Sequence, residues 1–165
     1  MRIVITDANV LINLATANGM MLLRDLPGHE FLLPEEVRNE VTAAPQRAVL
    51  DRAIAEGYLS VRRLESVAGL TLYVDLRKTL GAGESACLAM AKVEGCMVAS
   101  DEKRAFRREA TRLLGIEAVV TTVDIYLMSI RAGIITVEEA DAAKKILAAN
   151  RFTMPFGSFS ELLQG

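Results

Sequence analysis

The chain has 165 residues, 52% of them hydrophobic and 24% charged, with a net charge of −2. That length and apolar content suit one globular body with a continuous core, and the lack of Pro-rich or Gly/Ser-rich tracts excludes a disordered or linker-divided chain. Cys87, Cys96 and His29 are too few for a zinc site or a disulfide framework, so both cysteines read as small core residues and His29, in the turn signal Pro27-Gly28-His29-Glu30, as a surface loop residue.

The opening MRIVITDANVLINL predicts a strand over Arg2 to Thr6 and a helix over Asn9 to Ala17. Val10 to Leu23 superficially resembles a secretory leader with Ala15-Thr16-Ala17 as its cleavage site. Asp7, Asn9, Asn13 and Asn18 interrupt or flank it, and no apolar run reaches the ~18 residues of a bilayer span, so no membrane segment and a cytoplasmic location are expected. Further short apolar strands are predicted at Glu30 to Leu33, Leu59 to Arg62, Met97 to Ser100 and Glu117 to Thr121. Helical patterns run over Pro34 to Ala43, Gln46 to Glu56, Val67 to Thr79, Gly83 to Glu94, Glu102 to Leu114, Val123 to Arg131 and Thr136 to Ala149, the last opened by the capping-box pattern Thr136-Val137-Glu138-Glu139. Short strands alternating with helices predict an α/β sandwich around a mainly parallel sheet, because parallel strands need crossover helices on both faces. The expected organisation is one domain over 1–149 and a tail over 150–165, rich in Phe, docked on the body or on a second subunit.

Functional sites in such folds gather at the carboxyl ends of strands. Asp7 directly follows the first strand, and Asp101 directly follows Met97 to Ser100. Taken singly, either reads as an ordinary helix cap. Glu84 shares a helical face with the apolar Cys87, Leu88 and Ala91, which aims a carboxylate toward the sheet. Glu35 and Glu36 suit a positive helix end behind Pro34, but Glu40 borders the stripe Val37, Val41 and Ala44 and lacks that explanation. If Asp7, Glu40, Glu84 and Asp101 converge, each pair ~4 Å apart repels by on the order of 4 kcal/mol at an effective dielectric of ~20. A cation is then required, and oxygen-only ligands select a hard ion, Mg²⁺ or Mn²⁺. One or two such ions could activate water against a phosphodiester.

These residues, in this order, resemble the PIN-domain nucleases, in particular the VapC-type toxins of prokaryotic toxin-antitoxin pairs. Ile3-Val4-Ile5-Thr6-Asp7-Ala8-Asn9-Val10-Leu11-Ile12 looks like the family's opening, and Pro34 to Val41 like its second segment with Glu40 as the acidic position. Leu80-Gly81-Ala82-Gly83-Glu84-Ser85-Ala86 is similar to a subgroup with Glu at a place often held by Asp. Ala99-Ser100-Asp101-Glu102-Lys103-Arg104-Ala105 through Leu114-Gly115-Ile116 resembles the next signature. Glu102 stands there where a second Asp is common, and Thr121-Thr122 departs from a frequent Gly-Thr. The resemblance covers Arg2 to Ala140 and implies a three-layer α/β/α fold, Mg²⁺- or Mn²⁺-dependent endoribonuclease activity on RNA, often a homodimer, and a possible cognate antitoxin protein.

With the four carboxylates set aside, the remaining body is mildly basic. Arg104, Arg108 and Arg112 are expected to form one helical stripe beside the site and to contact RNA phosphates, against the plainer reading of a solvated helix face. Asn9 and Ser100, with Thr6, could hold a water or support a carboxylate. Asp124 reads as a first-turn helix residue before it reads as a further ligand. The alternative function is a non-catalytic PIN-like module that binds RNA or scaffolds a complex. A haloacid-dehalogenase-type phosphohydrolase fits less well, since Asn9 stands where its second Asp would act as general acid-base.

Overall fold

The structure, a computed structural model, describes residues 1–164. β1 (Arg2–Thr6), β2 (His29–Pro34), β3 (Ser60–Arg62), β4 (Met97–Ala99) and β5 (Val119–Val120) form one all-parallel sheet in the order β3-β2-β1-β4-β5. Between them run α1 (Ala8–Thr16), α2 (Met21–Asp25), α3 (Glu35–Glu40), α4 (Ala44–Ala55), α5 (Val67–Leu76), α6 (Ala82–Glu94) and α7 (Ala105–Leu114), and after the sheet α8 (Thr122–Arg131) and α9 (Val137–Ala149). The expected α/β/α sandwich with a parallel sheet is present.

The strand order reverses at the β1/β4 pair, since β2 and β3 extend to one side of β1 while β4 and β5 extend to the other. That reversal opens a crevice at the carboxyl edge, which in open parallel sheets is where ligands bind. Ile5 and Val98 are paired there in register and both are fully buried, so the backbone that delivers Asp7 and Ser100 is rigid. The Asp7 amide donates to the Ala99 carbonyl at 2.9 Å, and the Ser100 amide to Val120 at 2.9 Å.

One helical layer centres on α6, which touches β1, β2 and β4 and packs against α3, α5 and α7; α1, α8 and α9 contact one another in the other layer. Ser85 through Ala91 are all buried, which accounts for the nearly unbroken small and apolar run of α6. Gly95, at φ 68°, ends that helix in the left-handed conformation that a side chain disfavours. The Thr136 capping box is formed, with Glu139 accepting from the Thr136 amide at 2.8 Å and Thr136 from the Glu139 amide at 3.1 Å. The C-terminal segment packs on α8 and α9, where Phe159 is fully buried against Tyr126 and Phe156.

Several elements differ from the sequence expectation. α2 is a short helix that was not expected. α3 stops at Glu40 rather than reaching Ala43, because the Arg47 guanidinium takes the carbonyls of Arg38 (3.0 Å) and Val41 (3.4 Å), and α4 then begins at Ala44 with Pro45 in its first turn. Pro34 ends β2 in an extended conformation instead of lying inside the helix. The segment expected as a strand over Glu117 to Thr121 begins as a 3-10 turn, Ile116–Ala118, leaving two strand residues. His29 opens β2 rather than sitting in a loop, at the amino edge of the sheet and away from the crevice.

Candidate metal centre at the carboxyl edge of the sheet

Asp7 is the N-cap of α1, with its Oδ1 accepting from the Ala8 amide at 2.8 Å and its Oδ2 from the Ser100 hydroxyl at 3.1 Å. It is only 3% exposed. Burial pushes its carboxyl up to about 7; the two hydrogen bonds oppose the rise, and Glu84 and Glu40 reinforce it through their charge. Both of those carboxylates are therefore near enough for their charge to act on Asp7.

Glu40 and Glu84 meet at the N-terminus of α6. Glu40, the last residue of α3, accepts from the Gly83 amide at 2.8 Å, while Glu84 turns back to accept from the Gly81 amide at 2.9 Å. Free amides and the positive helix end hold both carboxylates in place without cancelling their charge. A Cβ on Gly83 would overlap the Glu40 carboxylate, so that contact requires glycine.

Asp101 is held differently. Its Oδ1 accepts from the Thr122 amide at 2.8 Å, and its Oδ2 accepts from the Thr122 hydroxyl at 2.5 Å and the Asn13 amide at 2.9 Å. It thus ties β4 to α8 and α1. The next residue, Glu102, extends back over the crevice, with its Oε1 taking a hydrogen bond from the Asn9 side chain at 3.1 Å. The same Asn9 amide lies 3.5 Å from Asp7 Oδ2 and 3.5 Å from Ser100 Oγ, and its carbonyl accepts from the Asp101 backbone at 3.1 Å. Asn9 and Ser100 therefore join the two strand ends, as a supporting role requires. Thr6 is buried with its hydroxyl directed to the Val4 carbonyl.

Sequence reading missed Thr122 and Asn13, whose only signal was a polar residue on a helix face turned to the crevice. It read Glu36, which stands one turn before Glu40 on α3, only as a charge suited to the positive helix end. A carboxylate oxygen of Glu36 is buried without a partner. Burial foremost, then the charges of Asp7, Glu40, Glu36 and Glu84, pushes the fully buried Cys87 thiol well up, which places that thiol beneath the same carboxylates. Asp124 is spent on the α8 capping box, taking the Thr121 amide and hydroxyl at 2.8 Å each.

The basic run departs from the expected stripe. α7 begins at Ala105, because Ser100 Oγ takes the Glu102 amide and Arg104 adopts φ 54°, so Arg104 lies outside the helix. Arg112 and Arg108 both lean on Glu109, at 2.7 and 3.6 Å. Lys103 and Arg104 are instead exposed in the loop that follows Asp101.

The donor set of the crevice is oxygen alone, which fits a hard divalent ion and no soft one. Among the described residues no three His, Cys, Asp or Glu side chains stand close enough together to enclose an ion; their carboxylates are instead fastened to backbone amides and neighbouring side chains. No described helix is long and apolar enough to cross a membrane.

No curated protein matches the chain. Among solved structures it is similar to a chain of the VapBC2 complex from Rickettsia felis, solved bound to a DNA fragment from its promoter, with a TM-score of 0.48 and 13% identity over 72% of this chain and 96% of that one. The family model described as a PIN domain (DUF3368) matches residues 3–164, and the chain belongs to that family.

Proposed function

We propose that the protein is an endoribonuclease that hydrolyses RNA phosphodiester bonds at the Asp7 crevice with Mg²⁺ or Mn²⁺ bound. The observation that carries this reading is Asp7, a nearly inaccessible carboxylate whose ionisation is opposed by burial and by Glu84 and Glu40, at the one place where the strand order reverses. An uncompensated buried carboxylate is costly, and a divalent cation is the natural compensation. Asp7, Glu40, Glu84 and Asp101 would hold it. When bound, such an ion supplies Lewis acidity toward the phosphodiester and toward the attacking water.

The chain's own groups prepare that chemistry. Ala8 and Ser100 fix the rotamer of Asp7, the Gly81 and Gly83 amides orient Glu84 and Glu40, and Thr122 with Asn13 locks Asp101. Asn9 couples Asp7 to Glu102 at the solvent side. Lys103 and Arg104, exposed in the loop after Asp101, would contact the phosphates of an RNA backbone entering the crevice, with Arg108 and Arg112 further along α7 and shared with Glu109. Such contacts position the strand without reading its sequence.

The order of acidic motifs supports a finer reading, that of a toxin in a toxin-antitoxin pair. An antitoxin would silence the site by covering the crevice, and an arginine from it could pair with these carboxylates in place of the ion. Incubating a pool of labelled single-stranded RNAs with the protein tests the activity. Cutting that needs Mg²⁺ or Mn²⁺, stops in EDTA and is lost in Asp7→Asn supports the nuclease. RNA binding without cleavage by the folded, partner-free protein would favour a non-catalytic PIN-like module.

A further inference from the structure

Glu40 ends a helix that cannot hold itself. α3 is six residues long, too short to persist without tertiary support, and its last carbonyls lack a following turn to donate to them. The donors come from Arg47, near the start of α4, whose Nη1 donates to the Arg38 carbonyl at 3.0 Å and to the Val41 carbonyl at 3.4 Å. Those two carbonyls flank Glu40 in the chain. The guanidinium is itself fixed, since its Nε donates to the two oxygens of Asp51 at 3.1 and 3.0 Å, and Asp51 also takes Arg38 Nη2 at 3.3 Å. α3 is thus tied to α4 through its backbone and through a side chain.

We propose that Arg47, oriented by Asp51, is a positioning residue for the metal centre: it sets where Glu40 stands relative to Asp7. The inference rests on the metal reading of the crevice. α4 packs on α1 with Leu50 and Ala53 buried, and α1 begins at the Asp7 cap, so a link from α4 to the end of α3 fixes the Glu40 backbone to the helix that carries Asp7. The Glu40 carboxylate is held independently, by the Gly83 amide at 2.8 Å. With one anchor on the backbone and another on the carboxylate, the side chain is ordered before a cation arrives, and binding need not order it. The Arg47 and Asp51 side chains are 32% and 44% exposed, where an ion pair adds little to stability. Its effect is therefore on geometry. Lysine would supply the charge without the planar fork that faces the carbonyls and the carboxylate at once.

Gly83 supplies a readout that needs no metal. It lies in the first turn of α6, so its amide has no intrahelical acceptor and Glu40 is its partner. Solvent exchange of that amide, followed by nuclear magnetic resonance in the metal-free protein, should accelerate by at least about tenfold in Arg47→Met, while the Gly81 amide, held by Glu84, keeps its rate. Mn²⁺ affinity of the same variant should fall by about tenfold in calorimetric titration. Arg47→Lys should restore neither, and Asp51→Asn should show both effects at smaller amplitude. Arg52→Met, which breaks a pair of the same spacing on α4, Arg52 with Glu56 at 2.8 Å, should change neither. Unchanged Gly83 exchange in Arg47→Met overturns the proposal, as does an equal acceleration at Gly81 or full Mn²⁺ affinity despite a freed Gly83 amide. No Mn²⁺ binding by the wild-type protein would overturn the metal reading itself, so the wild-type titration tells the two failures apart.

Discussion

Replacing Asp7 by Asn should stabilise the metal-free protein at pH 8 and leave it nearly unchanged at pH 4. The ordinary carboxyl value of 3.8 governs the unfolded chain, and the folded value is about 7. The folded state therefore binds this proton more tightly, so stability is full below pH 4, declines as pH rises toward 7, and stays reduced above it. At about 1.36 kcal/mol per pH unit the difference amounts to roughly 4 kcal/mol, on the order of 10 °C in Tm for a domain of this size. Asn preserves the geometry, because its carbonyl can accept from Ala8 and its amide can donate to Ser100 Oγ, while the repulsion from Glu84 and Glu40 disappears. Urea unfolding in EDTA at both pH values measures the effect. The expected gain is roughly 2 to 4 kcal/mol at pH 8 and close to zero at pH 4. A loss of stability at pH 8 equal to that at pH 4 would refute the burial argument, because it would mean Asp7 is a capping residue and nothing else.

Four other changes separate the roles of the surrounding groups. Gly83→Ala should keep or slightly raise stability, since Ala suits a helix interior by up to about 1 kcal/mol, yet displace Glu40 and lower Mn²⁺ affinity by about tenfold in calorimetric titration. Thr122→Val should cost about 1 to 2 kcal/mol in denaturant unfolding by stripping the hydroxyl from Asp101. Glu102→Gln should lower Mn²⁺ affinity several-fold without changing the unfolding midpoint, because its only partner is the exposed Asn9 contact. Arg104→Ala should weaken RNA binding more than Arg112→Ala and reduce the salt slope by about one, as measured by fluorescence anisotropy across salt concentrations, since Arg112 is already held by Glu109.

The strands were the most legible part of this protein. β-branched and apolar triplets such as Ile3-Val4-Ile5 and Met97-Val98-Ala99 can form little else when helices flank them, and a strand that ends in Asp fixes where that carboxylate stands. The face of α6 was legible too, because Cys87, Leu88 and Ala91 repeat at helical spacing and carry Glu84 with them. What the sequence concealed were the tertiary hydrogen bonds. The clamp of Thr122 and Asn13 on Asp101 joins residues 21 and 88 positions apart, and no local pattern encodes such a contact. The truncation of α3 depends on the reach of Arg47, a residue of the following helix. The start of α7 was misplaced because Glu102 to Arg104 are good helix formers whose amides and dihedrals are claimed by Ser100 and by the left-handed turn at Arg104. Local propensity lost there to the geometry of the crevice.

The central claim is that the carboxylates at the β1/β4 edge exist to hold a divalent cation. Electron paramagnetic resonance on a Mn²⁺ titration tests it without depending on any RNA target. The account predicts that the wild-type protein depletes the free Mn²⁺ signal at micromolar to sub-millimolar concentrations, that Mg²⁺ in excess restores it, and that Asp7→Asn leaves it untouched. Equal depletion by wild type and Asp7→Asn, or none by either folded protein, would contradict it.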